Sequence, residues 1–202
     1  DKYKTLVNRY KLEKKEESVK AKKDTNILRF RMATVIYADT EGFNNISEDM
    51  DSGQLVDSLD EIFIELGKII EKYELKNLKS IGDSLLGVGG IPHKNITNPI
   101  QVVLAAIEMQ YYLNIIQKTH HEDRIWKLRI GIHTGPVVAH LSGRKKINYD
   151  IKGESVNLAT RIRFYCEKGH ILISESTYEL VKDLFQCEYF TRMPIKYKGD
   201  IL

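Results

Sequence analysis

The sequence predicts an α+β domain, with a β-α-β-β-α-β core followed by a C-terminal αβ extension. Short apolar runs rich in β-branched residues alternate with longer segments in which apolar residues recur every three or four positions. Two neighbouring apolar runs are joined by a tight turn, which is typical of a hairpin. With 202 residues, 42% of them hydrophobic and 29% charged, the chain has the length and composition of one folded domain with an extension.

The first half of the chain supplies a strand, a helix and the hairpin. A strand is predicted over 27–38, because the run 32–38 is nearly all apolar, as in a strand covered on both faces. Apolar residues then recur at helical spacing over 55–73, behind a polar cap. The segment 77–90 is predicted to form two short strands joined by a turn at Gly82-Asp83.

The second half begins with a helix that has Asn98 as its predicted cap and Pro99 as its first residue. The strand after it is expected to break at Thr134-Gly135-Pro136. The remaining elements are a strand, a helix, a strand, a helix and a strand: "INYDIKG", "ESVNLATRIRFYC", "HILIS", "ESTYELVKDLF" and "MPIKYKG". The core order is that of the ferredoxin-like, split βαβ arrangement, whose sheet keeps one face free for a ligand or a partner.

Charge separates a basic leader from the rest of the chain. Residues 1–23 carry nine Lys or Arg and four Asp or Glu, and the remaining residues have a net charge of −2. We expect 1–25 to be a basic helical connector to an upstream sensor or membrane module, and 26–202 to be the folded domain. A domain of this charge is not expected to bind nucleic acid. No apolar run is long enough to span a bilayer, and Cys166 and Cys187 lack metal-ligand or disulfide-framework spacing, so we expect a cytoplasmic domain with reduced thiols.

Asp39 stands at the end of the first predicted strand, and Asp83 at the tip of the hairpin. In a split βαβ sheet these two places are neighbours, so the two carboxylates could face each other. Carboxylates that close repel unless a cation lies between them, and Mg²⁺ or Mn²⁺ bound by one or two carboxylates and nucleotide phosphates is the usual arrangement. Two independent turn aspartates are equally compatible with the spacing.

Two further segments suit phosphate and sugar. The stretch "TEGFNNIS" offers backbone N–H groups at a helix start and a glycine for close approach, which together form an anion site. Asn157 and Arg161 share one face of a predicted helix, where an arginine suits phosphate oxygens and an asparagine suits a sugar or phosphate. Taken alone, this pair is better explained as an exposed polar stripe on a helix whose other face is core.

Five ordered blocks resemble the catalytic domain of the class III adenylate/guanylate cyclases. They are "YADTEGF", "LKSIGDSLLGVGG", "LRIGIHTGPVVA", "YDIKGESVNLATRI" and "ILISESTYELV". The resemblance covers about residues 30–199. It implies an enzyme that converts a nucleoside triphosphate to its 3′,5′-cyclic monophosphate with release of pyrophosphate, and it makes 26–202 the catalytic domain.

The resemblance also implies a two-metal site in a dimer. Asp39 and Asp83, with the backbone of Thr40, match the positions that bind two Mg²⁺ or Mn²⁺ ions, one for the ribose 3′-hydroxyl and one for the triphosphate. The phosphate-binding positions match Gly42, Phe43, Asn44 and Lys198. Family members work as dimers with active sites at the subunit interface, so a chain that carries both halves is expected to form a homodimer with two composite sites.

Lys79 and Asp150 match the two base-reading positions of the family. A lysine there donates to a ring nitrogen of adenine and an aspartate accepts from its 6-amino group, so the resemblance favours ATP over GTP. Asn157 and Arg161 match the transition-state pair, in which the asparagine orients the ribose and the arginine stabilises charge on the α-phosphate. The prediction is therefore an adenylate cyclase, with a guanylate cyclase and a non-catalytic regulatory domain on the same fold as the alternatives.

Overall fold

A computed structural model describes residues 27–40, 52–81, 83–119, 127–142, 148–195 and 199–201. The strands in these ranges are β1 (Ile27–Thr40), β2 (Lys76–Ile81), β3 (Ser84–Gly89), β4 (Leu128–Ser142), β5 (Asn148–Lys152), β6 (Ile171–Ile173), β7 (Met193–Ile195) and β8 (Gly199–Ile201). The helices are α1 (Ser52–Lys72), α2 (Asn98–Thr119), α3 (Glu154–Tyr165) and α4 (Glu175–Val181). None of these described helices is long and apolar enough to cross a membrane. The predicted connector, 1–25, lies outside the described residues.

The main sheet has the strand order β2-β3-β1-β4-β5, and β6 also pairs with β4. β1 lies between β3 and β4 and is antiparallel to both. The order β2-β3-β1-β4, with α1 and α2 in the crossovers, is the ferredoxin-like arrangement, so the predicted α+β fold class is confirmed. Beyond this core, β5 is antiparallel to the end of β4, and β6 is parallel to its beginning. The chain closes with two strands, β7 and β8, paired as a hairpin where one strand was predicted.

The two faces of the main sheet are covered by different helices. α1 and α2 pack on one face, over a core whose largest buried side chains include Ile36, Leu66, Ile70, Met109 and Ile132. α3 packs on the other face, over a second apolar cluster that includes Val35, Val137 and Ala159. Since successive residues of a strand point to opposite faces, Tyr37 and Asp39 lie on the α3 face with Val35.

Gly131 lets α3 lie directly against β4. A Cβ atom at this position would lie 2.2 Å from the backbone nitrogen of Arg163 and 2.5 Å from the carbonyl oxygen of Ala159. Because both are backbone atoms of α3, any larger residue would force the helix away from the strand. The glycine therefore sets the distance between α3 and the sheet, and with it the position of the polar side chains that α3 carries.

β4 runs unbroken through Pro136, where the sequence predicted a break. The irregularity lies in β1 instead, because Phe30 pairs with Val137 and Ala33 with Gly135, so that two residues of β1 oppose Pro136. A proline has no N–H to give to the hydrogen-bond ladder, and a bulge in the partner strand removes the need for one at that point. The partner strand therefore accommodates the proline.

At the start of α2, Thr97 takes the capping position that was predicted for Asn98. The Thr97 carbonyl accepts a bond from the Gln101 N–H at 3.1 Å, which opens the helical ladder. Asn98 is fully buried instead, and its Oδ1 accepts a hydrogen bond from Thr34 Oγ1 at 2.6 Å. Pro99 becomes the second helical residue, where its missing N–H still has no intrahelical partner to lose.

Asn98 belongs to a buried chain of neutral groups that we call the hydroxyl cluster: Thr34, Asn98, Thr134, Ser174 and Thr177. The Oγ1 atom of Thr134 lies 2.9 Å from that of Thr34 and 3.0 Å from that of Thr177. Thr177 Oγ1 in turn lies 3.1 Å from Ser174 Oγ, and Ser174 caps α4. His133 Nδ1 lies 2.9 Å from Ser174 Oγ, and burial lowers the pKa of His133 from 6.5 to about 4. Hydrogen bonds therefore join the starts of two helices to the middle of the sheet.

Candidate active site

β1 ends beside the hairpin tip, and this places Asp39 next to Asp83. Asp39 pairs with Ser84, and the following residue, Thr40, donates its backbone N–H to the Asp83 carbonyl over 3.0 Å. Asp83 is half-buried, whereas Asp39 is 7% exposed. The two aspartates that were predicted to bind metal therefore occupy neighbouring backbone positions on adjacent parts of the sheet.

Two arginines hold the Asp39 carboxylate, and we call the three residues the charged cluster: Asp39, Arg129 and Arg163. Arg129, the cross-strand partner of Asp39 on β4, donates from Nε to Oδ1 at 3.1 Å and from Nη2 to Oδ2 at 2.9 Å. Arg163 of α3 donates from Nη1 to Oδ2 at 2.5 Å. Only 15% of each arginine side chain and 10% of the Asp39 side chain are exposed, so this is a largely buried charge arrangement.

Arg163 is held less completely than Arg129. Its guanidinium carbon lies 4.9 Å from the centroid of the Tyr37 ring, a cation–π contact. Its Nε atom is buried without a hydrogen-bond partner in the described part of the chain, and so is Thr40 Oγ1. Buried polar atoms are nearly always partnered, so each of these two atoms has the capacity for one more hydrogen bond.

The donor atoms around Asp39 suit a hard divalent cation. Two carboxylates and a backbone carbonyl at Thr40 are oxygen ligands of the kind that Mg²⁺ and Mn²⁺ prefer. Among the described residues, no three Asp, Glu, His or Cys side chains cluster, so a cation here would take its other ligands from water and phosphate oxygens. The residues therefore fit such an ion, provided that the arginines on Asp39 make room for it.

Lys79 and Asp150 are exposed and stand on β2 and β5. These strands lie at opposite ends of the hydrogen-bonded order, yet they contact each other. Leu78 of β2 and Tyr149 of β5 pack against the same apolar cluster, which shows that the sheet curls. Asp150 forms an exposed ion pair of 3.1 Å with Lys152, a kind of contact too weak to exclude a ligand. The structure thus brings together the two strands that carry the predicted base-reading residues.

α3 presents Asn157 and Arg161 to solvent and Arg163 to the sheet. The buried residues of the helix are Ser155, Ala159 and Ile162. Within the described chain, the Asp39 carboxylate is held by Arg129 and Arg163, and Arg161 is exposed. The predicted transition-state residues are therefore exposed, whereas the predicted metal ligand Asp39 is bound by arginines of its own chain. This difference is expected of a site composed from two chains.

Sequence reasoning missed Arg129 and Arg163, although each left a signal. Arg129 is a charged residue inside an apolar strand, and Arg163 follows Ala159 by four positions, which places it on the buried side of α3. A buried cation needs an anion, and Asp39 is the acid that ends a buried strand. The predicted phosphate-binding residues lie outside the described residues: Gly42, Phe43, Asn44 and Lys198.

Comparison with known proteins gives a family match and similar structures. A family model described as the adenylate and guanylate cyclase catalytic domain matches residues 26–202. The membrane guanylyl cyclase of Dictyostelium discoideum is 31% identical over 174 residues. The match covers 85% of this chain but only 12% of that relative. The adenylyl cyclase CyaB of P. aeruginosa has a TM-score of 0.79 at 27% identity, over 87% of this chain and 92% of that one. The catalytic core of a rhodopsin-guanylyl cyclase with converted specificity, in complex with ATPαS, has a TM-score of 0.78 at 28% identity, over 88% of this chain and 95% of that one.

Proposed function

Because the chain belongs to the family of adenylate and guanylate cyclase catalytic domains, we propose that it converts ATP to 3′,5′-cyclic AMP and pyrophosphate. The observation that carries the proposal is the placement of Asp39 beside Asp83, with the Thr40 N–H bonded to the Asp83 carbonyl at 3.0 Å. A buried and a half-buried carboxylate at neighbouring positions suit the two-metal chemistry of phosphoryl-group reactions.

In the proposed reaction the ribose 3′-hydroxyl loses its proton to water, and its oxygen forms a bond to the α-phosphorus. Pyrophosphate leaves as the bond between the α-phosphorus and the oxygen that bridges to the β-phosphorus breaks. Two Mg²⁺ or Mn²⁺ ions, bound by Asp39, Asp83 and the Thr40 carbonyl, would supply Lewis acidity at the 3′-hydroxyl and the phosphates. Asn157 orients the ribose, and Arg161 stabilises the negative charge that grows on the α-phosphate oxygens. The chain around Gly42, Phe43 and Asn44, with Lys198, holds the outer phosphates.

The proposed enzyme is a homodimer with two composite sites. Asp39 is buried and bound to arginines of its own chain, whereas Asn157 and Arg161 are exposed on α3. An exposed arginine and asparagine are available to a substrate that is bound to the aspartates of a second copy. A symmetric dimer uses each of these halves twice, so it contains two equivalent sites.

The preference for ATP rests on Lys79 and Asp150. Both are exposed, and their strands contact each other, so one base can lie between a lysine donor and a carboxylate acceptor. Adenine offers ring nitrogens as acceptors and a 6-amino group as a donor, which matches this pair, whereas guanine carries a carbonyl at the same place. The family contains cyclases for both nucleotides, so GTP is the competing substrate.

The test is product formation from ATP and from GTP, each with Mn²⁺ or Mg²⁺, over a series of protein concentrations. We expect cyclic AMP from ATP, with a specific activity that rises with protein concentration as dimers form. Cyclic GMP as the main product would contradict the assignment of ATP as the substrate but would support the assignment of cyclase activity. No product from either nucleotide, with the dimer shown by sedimentation, would favour the regulatory-domain alternative.

Asp83→Asn is the variant that tests the metal assignment most cleanly. Asp83 is half-buried, whereas Asp39 also neutralises two largely buried arginines, so its removal costs stability as well as function. We expect Asp83→Asn to have the same denaturant midpoint of unfolding as the wild type and to lose turnover. Wild-type turnover in this variant would contradict the role of Asp83.

A further inference from the structure

We infer that the two arginines of the charged cluster have separate tasks: Arg129 positions Asp39, and Arg163 occupies the place of a divalent cation and leaves Asp39 when the cation binds. The inference rests on the proposed function, because it takes Asp39 to be a metal ligand. It adds to that site a residue that the family resemblance does not assign.

The Asp39 carboxylate is already engaged on both oxygens. Oδ1 accepts from Arg129 Nε, and Oδ2 accepts from both Arg129 Nη2 at 2.9 Å and Arg163 Nη1 at 2.5 Å. A carboxylate oxygen has two lone-pair directions, and both are in use at Oδ2. Oδ1 accepts one bond and keeps a lone-pair direction, so a cation can reach it directly. A cation that binds Oδ2, or both oxygens, displaces one of the two N–H donors at Oδ2.

Arg163 is the donor whose departure from Asp39 breaks fewer hydrogen bonds. Arg129 binds through a two-pronged fork from the backbone position directly opposite Asp39, so its geometry is fixed by the β1–β4 ladder. Arg163 makes one bond to the carboxylate, and its buried Nε has no partner among the described residues. A movement of Arg163 away from Asp39 gives Nε the chance to find a partner, whereas a movement of Arg129 breaks two bonds.

The charge around Asp39 points the same way. Asp39 and Asp83 carry two negative charges, and Arg129 and Arg163 balance them with two positive charges. A divalent cation added to this arrangement leaves a largely buried site with an uncompensated double positive charge, and departure of Arg163 halves that excess. Arg163 therefore opposes cation binding, and its removal should tighten the binding of Mn²⁺ roughly tenfold.

The experiment measures Mn²⁺ binding to the whole chain without nucleotide, by the electron paramagnetic resonance signal of free Mn²⁺. The variants are Arg163→Gln, Arg163→Lys and Arg129→Gln, with Asp39→Asn as the test of the site itself. Lys94→Gln is the matched control, because it removes the same charge from the exposed loop at the opposite end of β3. Circular dichroism confirms that each variant is folded.

We expect Arg163→Gln to lower the Kd for Mn²⁺ roughly tenfold, Arg163→Lys to fall between it and wild type, and Lys94→Gln to have no effect. Arg129→Gln should weaken Mn²⁺ binding, because Asp39 loses the residue that orients it. Mn²⁺ binding that depends on Asp39 but is unchanged or weakened in Arg163→Gln would overturn this inference and leave the proposed function intact. Mn²⁺ binding that is identical in wild type and Asp39→Asn would overturn both.

Discussion

β1 and β4 bring together two polar pairs of opposite character. Thr34 pairs with Thr134 in the middle of the strands, and Asp39 pairs with Arg129 five residues further along β1. Because five is an odd number, the two pairs lie on opposite faces of the sheet. The first pair belongs to the neutral hydroxyl cluster, and the second belongs to the charged cluster, in which arginines outnumber the carboxylate.

The two clusters differ in how completely their members are partnered. Every member of the hydroxyl cluster has at least one hydrogen-bond partner, and its bonds run from the start of α2 to the start of α4. The charged cluster leaves Arg163 Nε buried without a partner in the described chain. A satisfied neutral network stabilises one arrangement, whereas an incompletely satisfied charged one favours an exchange of partners when another ion arrives. One pair of strands can therefore support both a fixed scaffold and a changeable site.

The largest contrast between the clusters should appear in turnover. Asp39→Asn keeps the shape of the side chain but removes the charge that binds metal, so we expect cyclic nucleotide formation to fall at least about a thousandfold. Thr134→Val, at an equally buried paired position, should retain most of the wild-type turnover. The measurement is the initial rate at saturating ATP and Mn²⁺. Equal losses in both variants would mean that the hydroxyl cluster also serves the reaction directly.

Mixing two inactive chains should restore activity if the charged cluster works with the exposed face of a second copy. In a hybrid dimer of Asp39→Asn and Arg161→Ala chains, one site carries both changes and the other carries neither. Random exchange makes half of the dimers hybrids, so we expect about a quarter of the wild-type rate. The rate is measured after unfolding and refolding the two variants together, with each variant refolded alone as the control. An inactive mixture with proven hybrids would contradict the composite site.

Acid should lower the stability of the fold through His133, which lies within hydrogen-bond distance of Ser174 in the hydroxyl cluster. Burial lowers the pKa of His133 from 6.5 to about 4, so the folded state keeps it neutral where the unfolded state binds a proton. His133 does not lower the free energy of unfolding above pH 6.5. As the pH falls towards 4, the unfolded state gains a proton at His133 and the free energy of unfolding falls by up to about 3 kcal/mol. Urea unfolding of wild type and His133→Asn between these pH values measures the difference. Parallel pH profiles for the two proteins would mean that His133 does not cause the loss.

The smallest expected difference between the two clusters is in the free energy of unfolding. Thr134→Val removes two buried hydrogen bonds, to Thr34 and to Thr177, so we expect the free energy of unfolding to fall by about 1–3 kcal/mol. Arg163→Gln leaves Asp39 bonded to Arg129, so the loss should be below about 1 kcal/mol. Urea unfolding at pH 7.5 without divalent cations compares them. A larger loss in Arg163→Gln would mean that Arg163 is mainly structural.

The sequence was sufficient for the fold and for the meeting of the two segments that carry Asp39 and Asp83. Periodicity, turn chemistry and the order of elements predicted the ferredoxin-like core, and strand topology predicted that the ends of β1 and of the hairpin meet. Such features depend on local patterns and on a small number of allowed topologies. The roles of Asn157, Arg161, Lys79 and Asp150 came from resemblance, and they stay predictions.

Details that depend on long-range partners could not be predicted from local patterns. Pro136 looked like a strand break because the bulge that accommodates it is in β1, about a hundred residues away along the chain. Asn98 looked like a cap because nothing near it in the sequence indicates that it bonds to Thr34. Arg163 was overlooked for the same reason, since its anion belongs to a distant strand.

α3 carries Arg161 on its exposed side and Arg163 on the side that faces Asp39, only two positions apart. In the proposed homodimer, Arg161 serves the substrate bound to the partner, while Arg163 contacts the aspartate of its own chain. One helix, packed against β4 at Gly131, would therefore be shared by two active sites of that dimer. We expect a cation that displaces Arg163 in one site to act on the helix that presents Arg161 to the other site. The two sites would then be cooperative, and the rate would depend on cation concentration in a sigmoidal way.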